Sequence, residues 1–145
     1  MFFAKYLKKF GYNPIILTVD SKYASYNLID NSLTDQVKDI EVHNTPSFEI
    51  LKLYSMFKSG NKNRAIPQSY IPTQTFFDKI ASFIRLNFFI PDSRIGWNYF
   101  AFKKAKKLIE DNNINCVITT GPPHSTHLIG KKIYNKFKLK WIVDL

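Results

Sequence analysis

Short strand-like runs alternate with longer helix-like segments along this chain. Residues 115–120 and 140–144 are short and rich in apolar and β-branched residues, and residues 124–137 between them have helical periodicity. This order favours a right-handed crossover between two parallel strands. An earlier run, Ile15–Leu17, is continuously apolar, which is typical of a strand buried on both faces of a parallel sheet. The pattern predicts an α/β fold with a Rossmann-like, mainly parallel sheet and helices on both faces.

The other segments extend this alternation. A helix is predicted over residues 3–10, with Gly11 in the left-handed position that commonly ends a helix. Residues 58–73 are basic and lack periodicity, so they are predicted to be a flexible excursion within one incomplete domain of residues 1–145. The remaining predicted elements are a strand at 40–45 and helices at 46–57, 74–90 and 97–112.

The composition restricts the partners and the compartment. The 21 Lys and Arg residues outnumber the 11 Asp and Glu residues, and a formal charge of +10 favours anionic partners. No helix-turn-helix, zinc or RNA-recognition signature accompanies this charge, so nucleic acid is not an expected partner. No segment supplies the roughly 18 apolar residues of a transmembrane helix. The single cysteine, Cys116, fits a reducing compartment, and a cytoplasmic location is expected.

The segment between the strand at 115–120 and the following helix is unusual. It reads Gly-Pro-Pro-His-Ser over residues 121–125, hereafter the elbow. The glycine permits uncommon dihedral angles, the prolines stiffen the turn, and Ser125 or Thr126 can satisfy the first free amides of the helix. A helix N-terminus can also hold a phosphate or carboxylate. The elbow is therefore either a ligand-binding loop or a rigid turn, and the glycine spacing of a dinucleotide fingerprint is absent.

The two histidines near the elbow suggest hydrogen bonding rather than metal binding. His124 and His127 are three residues apart, but no third ligand follows at a recognisable interval. We expect His124 to form hydrogen bonds in a cleft and His127 to lie on the surface. Ser125, His124 and Asp144 could be combined into a catalytic set, but the Gly-x-Ser-x-Gly pattern of such sites is missing. No catalytic residue is therefore assigned.

Two further features are open to more than one interpretation. Arg94, in the segment IPDSRIGW, either pairs with Asp92 as a brace for the following helix or faces an anionic ligand. The many lysines of residues 103–140 are either solvated helix surfaces or part of a surface that rests on an anionic membrane. Trp97 is expected to lie in the core.

Four segments together resemble a known family. FAKYLKKFGYNPIILTV, IPDSRIGW, AKKLIEDNNINCVITTGPPHSTHLIGKKI and KWIVDL occur in this order. They resemble the N-terminal half of bacterial family 4-type glycosyltransferases that carry a Gly-Pro-Pro-His-Ser elbow. The resemblance implies one half of a GT-B fold, in which this half holds the acceptor and a second Rossmann-like domain holds the nucleotide-sugar donor.

The resemblance also implies a chemistry and a site. Transfer would be independent of metals and cofactors and would retain the anomeric configuration. The acceptor would be a glycan or a lipid-linked saccharide, as in cell envelope polysaccharide synthesis, at the inner face of the cell membrane. Independently of the resemblance, Arg94 is the candidate for an anion contact, as the second of its two interpretations. The residues expected to bind substrate are Thr120, Gly121, Pro122, Pro123, His124 and Ser125.

The chain departs from the family pattern at both ends. Family members begin with another strand and a Gly-rich loop ahead of the helix that here starts at Phe2, and they continue past Leu145 into the donor domain. We therefore expect a chain truncated at both ends, inactive by itself, with an unpaired sheet edge or apolar groove that favours self-association. The alternative is a noncatalytic basic α/β module that binds an anionic membrane or another polyanion. In that case a separate chain would supply the donor domain.

Overall fold

The computed structural model describes residues 2–23, 38–48 and 90–145. The helices predicted at 46–57 and 74–90 and the excursion at 58–73 fall almost wholly outside these residues. The described helices are α1 (Phe2–Lys9), α2 (Asn98–Asn112) and α3 (Thr126–Phe137), and a short 3-10 turn spans Ile95–Trp97. The described strands are β1 (Ile15–Val19), β2 (Glu41–Thr45), β3 (Cys116–Thr120) and β4 (Lys140–Asp144).

The strands form two parallel pairs. β1 pairs with β2 from Ile15 opposite Glu41 to Val19 opposite Thr45. β3 pairs with β4 in the same manner, and α3 connects them. The prediction of an α/β fold with parallel strands is confirmed. Within the described residues, however, the strands form two separate two-stranded sheets, so a continuous Rossmann-like sheet is not shown.

The beginning of α2 shows how the two pairs are oriented. The indole Nε1 of Trp97 donates a hydrogen bond to Thr45 Oγ1 at 2.7 Å, and Thr45 is the last residue of β2. The next residue, Asn98, donates from Nδ2 to the carbonyl oxygen of Ser125 at 2.9 Å, shortly after the end of β3. Because both carboxyl ends meet the first turn of α2, all four strands end at the same edge, called the carboxyl edge below.

The core lies between the helices α2 and α3 and one face of the strands. Leu17 of β1 and Val117 of β3 both pack against it, so the two helices cover the same face of both pairs. Gly130 allows close packing of α3, since a β carbon there would overlap the Trp141 ring and lie 2.8 Å from Thr119 Cγ2. The buried core cluster comprises Ala101, Ala105, Ile129 and Ile133.

Helix α1 lies on the opposite face. Near its amino end, Phe3 borders a small cavity with Ile118, Ile142 and the last residues of β4. Near its carboxyl end, Lys8 Nζ donates to the carbonyl oxygen of Asp39, just ahead of β2, at 2.7 Å. α1 therefore runs antiparallel to the strands, with its amino end towards the carboxyl edge. Gly11 follows it with a φ of 81°, which confirms the predicted left-handed residue.

The strands are less buried than their apolar sequences suggest. All five residues of β1 are only half-buried, whereas the run Ile15–Leu17 predicted burial on both faces. Ile142 of β4 is 50% exposed. Both strands line one large cavity, and within the part of the chain that the structure describes each has a partner strand along one edge only, which accounts for this exposure.

Candidate functional site

The elbow follows β3 directly and therefore lies at the carboxyl edge. Pro122 and His124 are exposed, Gly121 and Pro123 are half-buried, and Ser125 is fully buried. The Gly121–Pro122 and Pro122–Pro123 peptide bonds are both cis. The Gly121 N–H donates to the carbonyl oxygen of Asp144 at 2.8 Å, which ties the elbow to the end of β4.

Residues far away in the sequence hold the elbow in place. Asp92 Oδ2 accepts a hydrogen bond from the Ser125 N–H at 2.7 Å, across 33 residues. Asp92 Oδ1 accepts from the Arg94 N–H at 2.9 Å. On the other side, Asn98 donates to the carbonyl oxygen of Ser125. The segment 92–98 therefore fixes both peptide groups of Ser125.

The first amides of α3 are already engaged. The N–H groups of Thr126, His127 and Leu128 donate to carbonyl oxygens within the elbow, at 3.0 to 3.2 Å. The Ser125 N–H is bonded to Asp92, whose negative charge is favourable at the positive end of a helix. The predicted cap by the side chain of Ser125 or Thr126 is not formed. The place predicted for a phosphate is thus occupied by the carboxylate of Asp92.

His127 belongs to a hydrogen-bonded chain rather than to the surface. Its Nδ1 lies 2.9 Å from Thr119 Oγ1, and Thr119 Oγ1 also accepts a hydrogen bond from Trp141 Nε1 at 2.9 Å. The expectation of a surface position for His127 was wrong, because the side chain is half-buried against β3 and β4. Its Nε2 is buried without a partner in the described residues, as are Ser125 Oγ and Asn98 Oδ1.

Both imidazole rings lie close to Gly121. A β carbon at this position would be 2.9 Å from His127 Nε2 and 3.1 Å from His124 Nδ1. A larger residue would therefore displace one or both rings. The ring centroids are 6.0 Å apart, and no cluster of three or more His, Cys, Asp or Glu side chains occurs in the described parts of the chain.

Several of the predicted site residues line one opening. The cavity along β1 and β3 has a volume of about 1730 Å³, and its end at the carboxyl edge is called the mouth. Gly121 and Ser125 do not line it, so these two residues shape the elbow rather than the cavity surface. The mouth is lined by Thr120, Pro122, Pro123 and His124 of β3 and the elbow, and by Asp92, Ser93 and Arg94.

The mouth offers groups that suit a polyhydroxylated or anionic ligand. His124, whose ring can donate and accept hydrogen bonds, is an exposed residue, and so is Thr120 at the end of β3. Arg94 adds a guanidinium group, which pairs well with phosphate or carboxylate. Buried Ser125, in contrast, cannot act as a nucleophile from this position.

Comparison with known proteins does not assign the chain to a family. No family model, curated protein or solved structure matches it. The geometry of the mouth and the residues of the elbow are therefore what indicate a function for this chain.

A second surface is strongly basic. Lys132 Nζ lies 5.9 Å from the ring centroid of Phe102, so Lys132 of α3 extends over α2. Lys106 pairs with Glu110 at 3.8 Å. None of the helices in the described ranges could cross a membrane. The exposed lysines of this surface, called the basic surface below, are Lys103 and Lys107 of α2 and Lys131, Lys132 and Lys136 of α3.

Proposed function

We propose that this chain is the acceptor-side, Rossmann-like domain of a retaining, nucleotide-sugar-dependent glycosyltransferase of the GT-B type. The arrangement of the mouth supports this proposal most strongly. There the exposed residues His124 and Thr120 lie with Arg94 at the carboxyl edge of parallel strands. Ligands of open α/β sheets bind beyond this edge. The order of the four resembling segments supports the choice of this family. The acceptor would be a glycan or a lipid-linked saccharide.

Each group of the mouth has a distinct role in this proposal. His124 and Thr120 form hydrogen bonds with sugar hydroxyl groups. Arg94 binds an anionic group, such as the diphosphate of a lipid-linked acceptor. Asp92 and Asn98 fix the elbow so that the His124 ring stays at the opening.

The proposed reaction requires a second domain. A departing nucleoside diphosphate needs positive charge and hydrogen-bond donors, which a GT-B donor domain supplies in the absence of metal. The mouth provides acceptor contacts and no assigned nucleophile. We therefore expect saccharide binding, but no sugar transfer, from residues 1–145 by themselves.

Binding of a soluble acceptor analogue tests this proposal. The probe is a saccharide linked through diphosphate to a short prenyl chain, titrated into the ¹⁵N-labelled chain. Chemical shift changes should concentrate at the amide signals of Thr120, Gly121, His124 and Arg94. His124→Ala should weaken binding about tenfold, the effect of roughly 1.4 kcal/mol, because it removes a hydrogen bond to the sugar.

A matched histidine provides the control. His43 lies on β2 and bonds to Glu41 at 2.6 Å, and it does not line the mouth. His43→Ala should leave the affinity unchanged. Equal losses for both variants, or shift changes that avoid the mouth, would refute the acceptor-side assignment.

The basic surface favours a second candidate, a noncatalytic module that binds an anionic membrane. Each lysine near an anionic bilayer contributes about 1 kcal/mol. Lys103→Gln combined with Lys107→Gln should therefore weaken binding to phosphatidylglycerol vesicles about 30-fold, as measured by sedimentation. Lys5→Gln combined with Lys9→Gln, an equal charge change on α1, should have little effect. Vesicle binding without any saccharide binding would favour this candidate over the glycosyltransferase domain.

A further inference from the structure

His127 belongs to a chain of hydrogen bonds that starts at Trp141. An indole N–H can only donate, so Trp141 Nε1 donates to Thr119 Oγ1 at 2.9 Å. Thr119 Oγ1 also lies 2.9 Å from His127 Nδ1. The Thr119 hydroxyl group has one proton of its own, and the residue is only 4% exposed. The neighbours of this hydroxyl group therefore determine where its proton points.

These contacts determine which nitrogen of a neutral His127 ring is protonated. Within the described residues, Trp141 and His127 are the hydrogen-bond partners of the Thr119 hydroxyl group. Because Trp141 donates to this group, the hydroxyl proton has His127 Nδ1 as its acceptor. If Nδ1 were protonated instead, the buried hydroxyl proton would have no acceptor among these residues. Nδ1 is therefore the acceptor, and the proton of the ring is on Nε2.

The Nε2–H group of His127 is thus a buried donor without an acceptor in the described part of the chain. Buried donors are almost always hydrogen-bonded in folded proteins, so a small movement that supplies an acceptor is favourable. The His127 ring itself is half-buried against β3 and β4, and its Nδ1 is bonded to Thr119. The acceptor must therefore move towards His127, rather than His127 towards the acceptor.

His124 offers an acceptor close to this donor. A β carbon on Gly121 would lie 2.9 Å from His127 Nε2 and 3.1 Å from His124 Nδ1. Beyond Gly121 and its two chain neighbours, the three atoms nearest to this point all belong to the two rings. Both nitrogens therefore border the space that the missing side chain of Gly121 leaves free. His124 is an exposed residue, so its ring has room to turn towards His127.

We propose that His127 is a positioning residue, which donates a hydrogen bond from Nε2 to Nδ1 of His124 and thereby holds the His124 ring at the mouth. The contact requires a movement of the His124 side chain alone, because the bonds from Trp141 through Thr119 to His127 are already formed. His124 lines the mouth and His127 does not, so His127 affects a ligand only through His124.

This contact determines what the His124 ring offers to a ligand. When Nδ1 accepts a hydrogen bond, the proton of a neutral His124 ring is on Nε2. The ring then donates to a ligand oxygen and offers the ligand no acceptor, so a sugar hydroxyl group binds with its oxygen towards Nε2. This consequence rests on the proposed binding of a saccharide at the mouth, whereas the contact between the two rings does not.

Side-chain NMR of the ¹⁵N-labelled chain tests the contact without any ligand. At a pH of about 8, at which an imidazole is ordinarily neutral, long-range ¹H–¹⁵N spectra identify the protonated nitrogen of each ring. We expect the His127 proton on Nε2, with a scalar coupling across the hydrogen bond to His124 Nδ1. His43, whose Nε2 bonds to Glu41 at 2.6 Å, is the internal control and should show no coupling to a nitrogen. A His127 proton on Nδ1, or an Nε2–H group without coupling to His124, would overturn the proposal.

Two substitutions test the effect of His127 on binding. His127→Leu removes the donor, whereas His127→Gln provides an amide N–H that can reach the position of Nε2. With the prenyl diphosphate saccharide as the probe, His127→Leu should weaken binding about fivefold, the net effect of one hydrogen bond, and His127→Gln should bind within about twofold of the unchanged chain. Equal losses in both variants would mean that His127 acts only through packing, which would overturn its positioning role. Absence of binding in all three proteins would refute the acceptor-side assignment, and the nitrogen coupling would still decide whether the two rings are joined.

Discussion

Replacing Asp92 by alanine should loosen the elbow, because this carboxylate is bonded to two backbone amides. Its Oδ2 accepts from the Ser125 N–H at 2.7 Å, and its Oδ1 accepts from the Arg94 N–H at 2.9 Å. Ser125 is fully buried, so its N–H has no access to water as a substitute partner. The variant therefore leaves the buried Ser125 N–H without an acceptor. It also removes the negative charge that Asp92 places beside the first turn of α3.

The structure allows an estimate of how much Asp92→Ala lowers the free energy of unfolding. A hydrogen bond to a charged group contributes about 1.5–3 kcal/mol, and the favourable charge at the start of a helix contributes about 0.3–1 kcal/mol. The hydrogen bond from the Arg94 N–H to Asp92 contributes less to stability, because Arg94 is only half-buried. We expect Asp92→Ala to lower the free energy of unfolding by about 3 kcal/mol, which corresponds to roughly 10 °C in Tm for a domain of this size. Asp92→Asn, which keeps one acceptor oxygen, should cost about half as much.

Urea unfolding and calorimetry measure this effect, and Asp111 offers a matched control. Asp111 is exposed near the carboxyl end of α2, so Asp111→Ala removes the same charge without breaking a buried contact. Its effect should stay within about 0.5 kcal/mol. If Asp92→Ala and Asp111→Ala unfolded at the same urea concentration, the role of Asp92 in holding the elbow would be refuted.

Two glycines give further predictions. Gly130→Ala should destabilise the protein by about 1–3 kcal/mol, although alanine gains about 1 kcal/mol over glycine in a helix, because the new β carbon overlaps the Trp141 ring. In urea unfolding, Asn135→Ala on the exposed side of α3 should cause no loss, and equal losses for both variants would contradict this packing. Gly121→Ala should shift the ring resonances of His127, whose Nε2 would lie 2.9 Å from the new β carbon. An unchanged His127 NMR spectrum would argue against this contact.

Local patterns were sufficient to predict the helices and strands in the described ranges. Ala101, Ala105 and Leu108 recur at helical spacing, and all three are buried on the inner face of α2. Glycine tolerates positive φ, so Gly11 could be recognised as the left-handed residue after α1. The arrangement of the strands could not be predicted from local patterns. The burial of Ile15–Leu17 depends on what lies beside β1 in space, which the run itself does not specify.

The position of the elbow could be predicted from the sequence, but the residues that hold it in place could not. A loop that directly follows a parallel strand must lie at the carboxyl edge. The contact of Asp92 with Ser125 joins residues 33 positions apart, whereas the sequence suggested only a local pairing of Asp92 with Arg94, as one of two alternatives. The burial of Asn98 could have been predicted from the sequence, because it shares the helical spacing of Ala101 and Ala105. A polar side chain on an apolar face requires a buried hydrogen bond, and here its amide donates to the carbonyl oxygen of Ser125.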